Sequence, residues 1–291
     1  MTLPVPVYAN TYENQAPCRL DMIDTSWHEG LRKVPGFSLP VLSSAGLESR
    51  ASRIAERVVK AHRFLSKTLE FEPPCALLVL SIADWPSRSG TQVYGMPHFR
   101  AGNLIVAGQP ADFWQGFVSM IREESAESLK RAEEVYRGPS GSIDFSPFFD
   151  MLAVHELGHI FHDQVPFRFP RAWLTEFFAN LCLHAYVASI EPENLPVLET
   201  FPQVVARTPP DRFPARTLTA FEAFYPSIEP RNYGWYQCRL HVAAKHVYDK
   251  GGISALQNLW KTFLVGDADL SDLLKRKVHP KIAEVASTWP K

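Results

Sequence analysis

The run Ser146-Pro147-Phe148-Phe149-Asp150-Met151-Leu152-Ala153-Val154-His155-Glu156-Leu157-Gly158-His159-Ile160-Phe161-His162 carries an H-E-x-x-H motif inside an apolar stretch. Phe148, Leu152, His155, His159 and His162 recur at helical spacing, so an apolar stripe continues into a line of imidazoles. Two side chains four apart on a helix point the same way, because four residues make slightly more than one turn. His155 and His159 can therefore reach one Zn²⁺, and Glu156, directly after the first ligand, can take a proton from a water held beside it. Ser146 reads as an N-cap, with Pro147 in the first turn and Asp150 suited to the positive end of the helix dipole. Pro166 and Pro170 bound the far end. Gly158 costs about 1 kcal/mol relative to Ala in a helix interior, which close approach of another backbone or of a substrate would explain. The alternative is a solvated helix face carrying two unrelated histidines.

Two imidazoles leave a catalytic zinc one protein ligand short. His162 lies two turns beyond His155 on the same rigid helix and cannot converge on one tetrahedral centre. The longer motif H-E-x-x-H-x-x-G-x-x-H is absent, since His162 and Val165 stand where it needs Gly and His. Glu176 is the better candidate. It is the only acid in Ala172-Trp173-Leu174-Thr175-Glu176-Phe177-Phe178-Ala179-Asn180-Leu181-Cys182, which reads as a second apolar helix. A buried carboxylate is costly unless paired or bound to metal; an ion pair with Arg168 or Arg171 is the competing explanation. Asn180, one turn on, faces the same way and could orient a ligand imidazole through its ring N–H.

This arrangement resembles the gluzincin metallopeptidases, the superfamily of thermolysin and related aminopeptidases: H-E-x-x-H, a short connection, then a helix with W-x-x-E-x-x-A-N. The specific part spans 146–182. The resemblance implies one Zn²⁺ per chain held by His155, His159 and Glu176, with Glu156 as general base and Asn180 as outer partner of His155. Weaker similarity extends upstream over Tyr94 to Ala107 and downstream over Tyr233-Gly234-Trp235-Tyr236-Gln237 and Tyr248 to Leu259. No G-x-M-E-N segment of the kind that binds a free amine is present; Gly95-Met96-Pro97-His98 lacks its acid, so an exopeptidase reading has no support. Such enzymes place a Tyr or His opposite the base to donate to the developing oxyanion. Tyr233 is the first choice for that role, Tyr236 the second and His241 the third, against the alternative that all three are core or cleft-wall residues.

Composition fits a soluble enzyme. The 291 residues suffice for a large core, with 30 basic against 31 acidic residues and a formal charge of −1, so no field favours nucleic acid or an anionic membrane. No apolar run approaches the length of a membrane span, and Met1 to Gly30 lacks the pattern of a signal peptide. A cytoplasmic location is expected. Cys18, Cys75, Cys182 and Cys238 are widely spaced, which suggests small buried thiols rather than disulfides or a metal site.

The pattern predicts an amphipathic helix over Leu47 to Leu69, buried strands at Ala76 to Ile82 and Asn103 to Ala107, and one long helix from Asp112 to Arg137. From Ser189 to Arg231 prolines and large aromatics alternate, which predicts an ordered but irregular insertion. Helices resume at Tyr233. The expected fold is α+β and zincin-like: a small mixed β-sheet packed on helices with the H-E-x-x-H helix (1–165), then a mostly helical C-terminal subdomain carrying Glu176 and the Pro-rich insertion at 189–231 (166–291), with the active site in a cleft between them. The expected function is zinc-dependent cleavage of peptide bonds in a peptide or protein substrate, the strand near Asn103 to Ala107 serving as an edge on which substrate is added. The alternatives are a zinc hydrolase of a non-peptide amide or ester, and a non-catalytic binding protein on the same fold.

Overall fold

Ala76-Leu77-Leu78-Val79-Leu80 is apolar at every position, which suits a strand buried on both faces, and in the computed structural model it forms the central strand of a five-stranded sheet. The structure describes residues 23–91, 93–122, 125–138, 140–263 and 274–290. Cys18 and most of the segment expected to lack a leader lie outside them. The described chain forms two units, one of 23–117 and 145–166, the other of 118–144 and 167–290.

In the first unit the strands are β1 (Arg32–Lys33), β2 (Val41–Ser43), β3 (Ala76–Leu80), β4 (His98–Arg100) and β5 (Asn103–Ala107), in the order β1-β2-β3-β5-β4. The sheet is mixed: β2, β3 and β5 run parallel, and the two outer strands pair antiparallel. The apolar Asn103–Ala107 strand is therefore interior, paired on both sides, and the edge belongs to β4. Ala101 and Gly102 connect β4 to β5 with φ of 45° and 74°, the two positive values of the hairpin turn whose twist matches the strands.

Helix α1 (Glu48–Leu69) buries Ala51, Ile54, Ala55, Val58, Ala61, Leu65 and Leu69 along one stripe. The short α2 (Trp85–Arg88) follows β3, and α3 (Asp112–Arg122) follows β5. The single helix expected over 112–137 is two, because Ser125 caps a new one: its hydroxyl accepts from the Ser128 amide at the start of α4 (Ala126–Val135), a role favoured at a helix start and not inside one. The motif helix, α5 (Ser146–Asp163), packs on α1, β4 and β5. Its N-cap is Phe145 rather than Ser146, with no side-chain capping bond, so Pro147 falls within the first turn. Asp150 pairs through both carboxylate oxygens with the Arg50 guanidinium, tying α5 to α1.

The second unit is built on α6 (Ala172–Ile190), whose residues from Trp173 to Val187 are all buried. A helix that is largely apolar around its circumference must be enclosed, and α6 is covered mainly by α9 (Pro230–Phe263), with further contacts from α7 (Leu195–Val205) and α8 (Leu218–Phe224). These short helices and single 3₁₀ turns make up the Pro-rich stretch, ordered as expected. The Tyr136 phenol, just after α4, donates to the Val197 carbonyl at 2.7 Å and accepts from the Phe201 amide at 2.8 Å, fixing α4 to α7. Gly252 breaks α9 at φ 55°, ψ −152°, a region open in practice only to glycine. A last helix, α10 (Pro280–Thr288), follows. The fold is α+β, a small mixed sheet accompanied by many helices. Cys75, Cys182 and Cys238 are buried free thiols. Among the described residues no helix is long and apolar enough to cross a membrane.

Candidate metal centre

One helical turn separates His155 from His159 on the buried side of α5, each about 6% exposed. Their Nε2 atoms stand 3.1 Å apart with the rings nearly perpendicular, at 77°. At Zn–N bonds of about 2.0–2.1 Å, two nitrogens on one tetrahedral Zn²⁺ lie about 3.3 Å apart, so the pair has the spacing of a shared cation. A neutral N–H···N bond between the rings uses the same lone pair at the same separation, which gives the pair a settled geometry without metal. Glu156 completes the group: one ligand atom from each of His155, Glu156 and His159 falls within 4.8 Å of the others. Glu156 is half-buried, whereas both histidines are buried. Phe99, on the edge strand β4, stacks on the His159 ring at 5.7 Å and 22°, fixing that imidazole's plane. His162 is buried two turns from His155 on the same helix.

Glu176 lies in the second unit, near the start of α6 and 1% exposed. Tyr225 donates its phenol proton to Oε1, and Gln237 donates from Nε2 to Oε2 at 2.7 Å. The same Gln237 nitrogen donates to the Tyr233 hydroxyl at 2.7 Å. Asn180 sends one N–H to the Glu176 carbonyl and the other to Gln237 Oε1, both at 3.0 Å. Its own oxygen faces His241 Nδ1 at 3.4 Å. Within its own unit the imidazole that Asn180 meets is His241. Tyr236 is fully buried, its phenol bonded to the Thr217 carbonyl at 2.7 Å, and burial pushes that phenol well above its ordinary range. It is a core residue.

No protein-family model matches this chain, and no curated protein matches it. The reading therefore stands on the residues themselves.

The structure brings His155, Glu156 and His159 together in one unit, and Glu176, Asn180, Tyr233 and His241 together in the other. Sequence reasoning missed Tyr225 and Gln237. Gln237 did carry a signal: Tyr233, Gln237 and His241 recur every four residues, a polar stripe facing Glu176, Asn180 and His184, which recur every four on α6. Tyr225 carried none, because it comes from a 3₁₀ turn in the irregular stretch, where no period relates it to Glu176. Further along the stripe His184 is buried, its Nε2 4.0 Å from Glu199, and burial with the Lys245 charge holds its pKa down to about 4. At neutral pH that contact joins a neutral imidazole to a carboxylate and is no ion pair.

Proposed function

We propose that this protein is a zinc-dependent hydrolase of zincin-like fold that cleaves peptide bonds in a peptide or protein substrate. The observation that carries the reading is the pair of buried Nε2 atoms 3.1 Å apart, with the Glu156 carboxylate in the same group, on the helix that the H-E-x-x-H motif marks. His155 and His159 would hold the cation, and Glu176 would be the third ligand that the resemblance to gluzincins implies. When bound, Zn²⁺ supplies Lewis acidity and lowers the pKa of a coordinated water towards about 7. Glu156 takes the proton of the attacking water on its carboxylate and passes it to the nitrogen of the leaving amine. Tyr233 donates to the oxyanion; a hydroxyl that accepts from Gln237 is polarised into a stronger donor by that bond. The substrate backbone pairs with the outer edge of β4, the last strand of the sheet among the described residues, whose Phe99 stacks on His159; β5 is paired on both sides. A near-neutral chain of net charge −1 makes nucleic acid and membrane poor partners, and a cytoplasmic protein fits three buried, reduced cysteines.

The test is metal analysis of the purified chain, followed by a chelator-sensitive assay on a peptide library. One zinc per chain is expected, with Glu156→Gln keeping the zinc and losing turnover by at least 100-fold, the lower end of what a general base contributes. Protein that takes up no stoichiometric zinc would remove the proposal.

A further inference from the structure

The hydrogen-bond partners of Glu176 form a chain with one direction. His241 Nδ1 faces Asn180 Oδ1 at 3.4 Å, Asn180 Nδ2 donates to Gln237 Oε1 at 3.0 Å, and Gln237 Nε2 donates to Glu176 Oε2 at 2.7 Å. Each amide's two N–H groups have an acceptor: those of Asn180 go to Gln237 and to the Glu176 carbonyl, those of Gln237 to Glu176 and to Tyr233. The amide orientations follow from this accounting. Turning the Gln237 amide over would set Oε1 against the carboxylate and leave Asn180 facing a donor. Turning Asn180 would set its oxygen against the Glu176 carbonyl, acceptor against acceptor. Only the observed polarity satisfies all three side chains, and it ends with an N–H aimed at Glu176.

We propose that Gln237 is a positioning residue for the third zinc ligand: the chain from His241 through Asn180 to Gln237 fixes one oxygen of Glu176 while Tyr225 fixes the other, so the carboxylate is held in one conformation before metal binds. This rests on the reading of Glu176 as a ligand and goes beyond it, since nothing in the motif assigns Gln237 a role. A carboxylate oxygen has two lone pairs, so an oxygen that accepts one hydrogen bond can still bind a cation. An isolated glutamate samples several rotamers, and a site that holds one in advance binds metal without that ordering cost. Each bond in the chain polarises the next, which strengthens the final donor to the carboxylate. Tyr233 hangs on the same nitrogen, so Gln237 also sets the phenol proposed to meet the oxyanion.

The experiment is a zinc titration of the chelator-stripped full chain against a chromophoric competitor, with Glu176→Ala, Gln237→Glu and Gln237→Met. Gln237→Glu preserves size but puts an acceptor where the donor stood, and Gln237→Met fills the same space with no donor, so a residue that only filled space would tolerate Gln237→Met. Both Gln237 variants are expected to weaken zinc binding by about 10–100-fold, as loss of an orienting partner does elsewhere. If Gln237→Glu fails to fold, Gln237→Met decides alone. Unchanged zinc affinity in a folded Gln237 variant, beside a loss in Glu176→Ala, overturns the positioning role and leaves the ligand reading standing. Unchanged affinity in Glu176→Ala itself overturns the ligand reading, and the positioning role falls with it.

Discussion

His184 shows what an enclosed titratable group costs. It is 1% exposed among His241, Tyr248, Glu199 and the Lys245–Asp249 pair. Burial holds its pKa down to about 4, Lys245 adding to the effect and Asp249 opposing it, whereas in the unfolded chain it titrates near about 6.5. Between those values the unfolded state binds the extra proton, so stability falls as pH falls. This contribution is complete above pH ~6.5 and gone below pH ~4; at about 1.4 kcal/mol per pH unit it amounts to about 3 kcal/mol. Burial raises the Glu199 pKa, which acts in the opposite sense, so the comparison must be between the chain and one variant. His184→Phe is expected to flatten the acid limb, bringing the urea midpoints at pH 7 and pH 4.5 closer than in the unaltered chain. Equal pH dependence in both would show that His184 titrates normally. His155, Glu156 and His159 were readable from sequence because their relation is local, set by one helix. The partners of Glu176 were not, because Tyr225 and Gln237 reach it from two other elements.

Secondary structure followed the periodic pattern where one period governed a whole segment, and departed from it where a single polar side chain intervened. The α1 stripe and β5 match their expected spans to within a residue. β3 ends at Leu80 rather than Ile82, because Ser81 accepts the Asp84 amide at 3.2 Å and turns the chain, leaving Ile82 exposed. The interior place of β5 is a matter of pairing order, which an apolar run does not encode. The β4–β5 hairpin offers a test at this scale. Ala101 holds φ 45° at an exposed turn position, where a Cβ is disfavoured by about 1–2 kcal/mol and asparagine is better tolerated. Ala101→Asn before Gly102 gives the pair that this turn prefers and is expected to raise stability by about 1 kcal/mol, read as a higher urea midpoint at unchanged slope. A lower midpoint would mean that the turn is not the strained element it is taken to be.

Across the whole chain, the sequence made plain that a small sheet and many helices would coexist, since β3 is apolar throughout and α6 is apolar but for a few polar positions, so both must be enclosed. It did not disclose that residues 118–144 pack with the C-terminal helices, because that grouping depends on a phenol, Tyr136, meeting Val197 and Phe201 more than sixty residues away. The proposed metal has a consequence at this same scale. A cation that binds the native chain and not the unfolded one adds stability in proportion to the logarithm of its concentration over its dissociation constant, about 4 kcal/mol at a thousandfold excess. The chelator-stripped chain should therefore melt lower than the zinc-loaded chain, and its midpoint should climb steadily as zinc is added back. His155→Ala or Glu176→Ala should keep the metal-free midpoint within the range of an ordinary substitution and lose most of the climb. Glu156→Gln should climb as the unaltered chain does, because it keeps both imidazoles and the distant carboxylate. A climb that survives Glu176→Ala would place the third ligand elsewhere, and one that survives His155→Ala would mean that the paired imidazoles serve each other and not a cation.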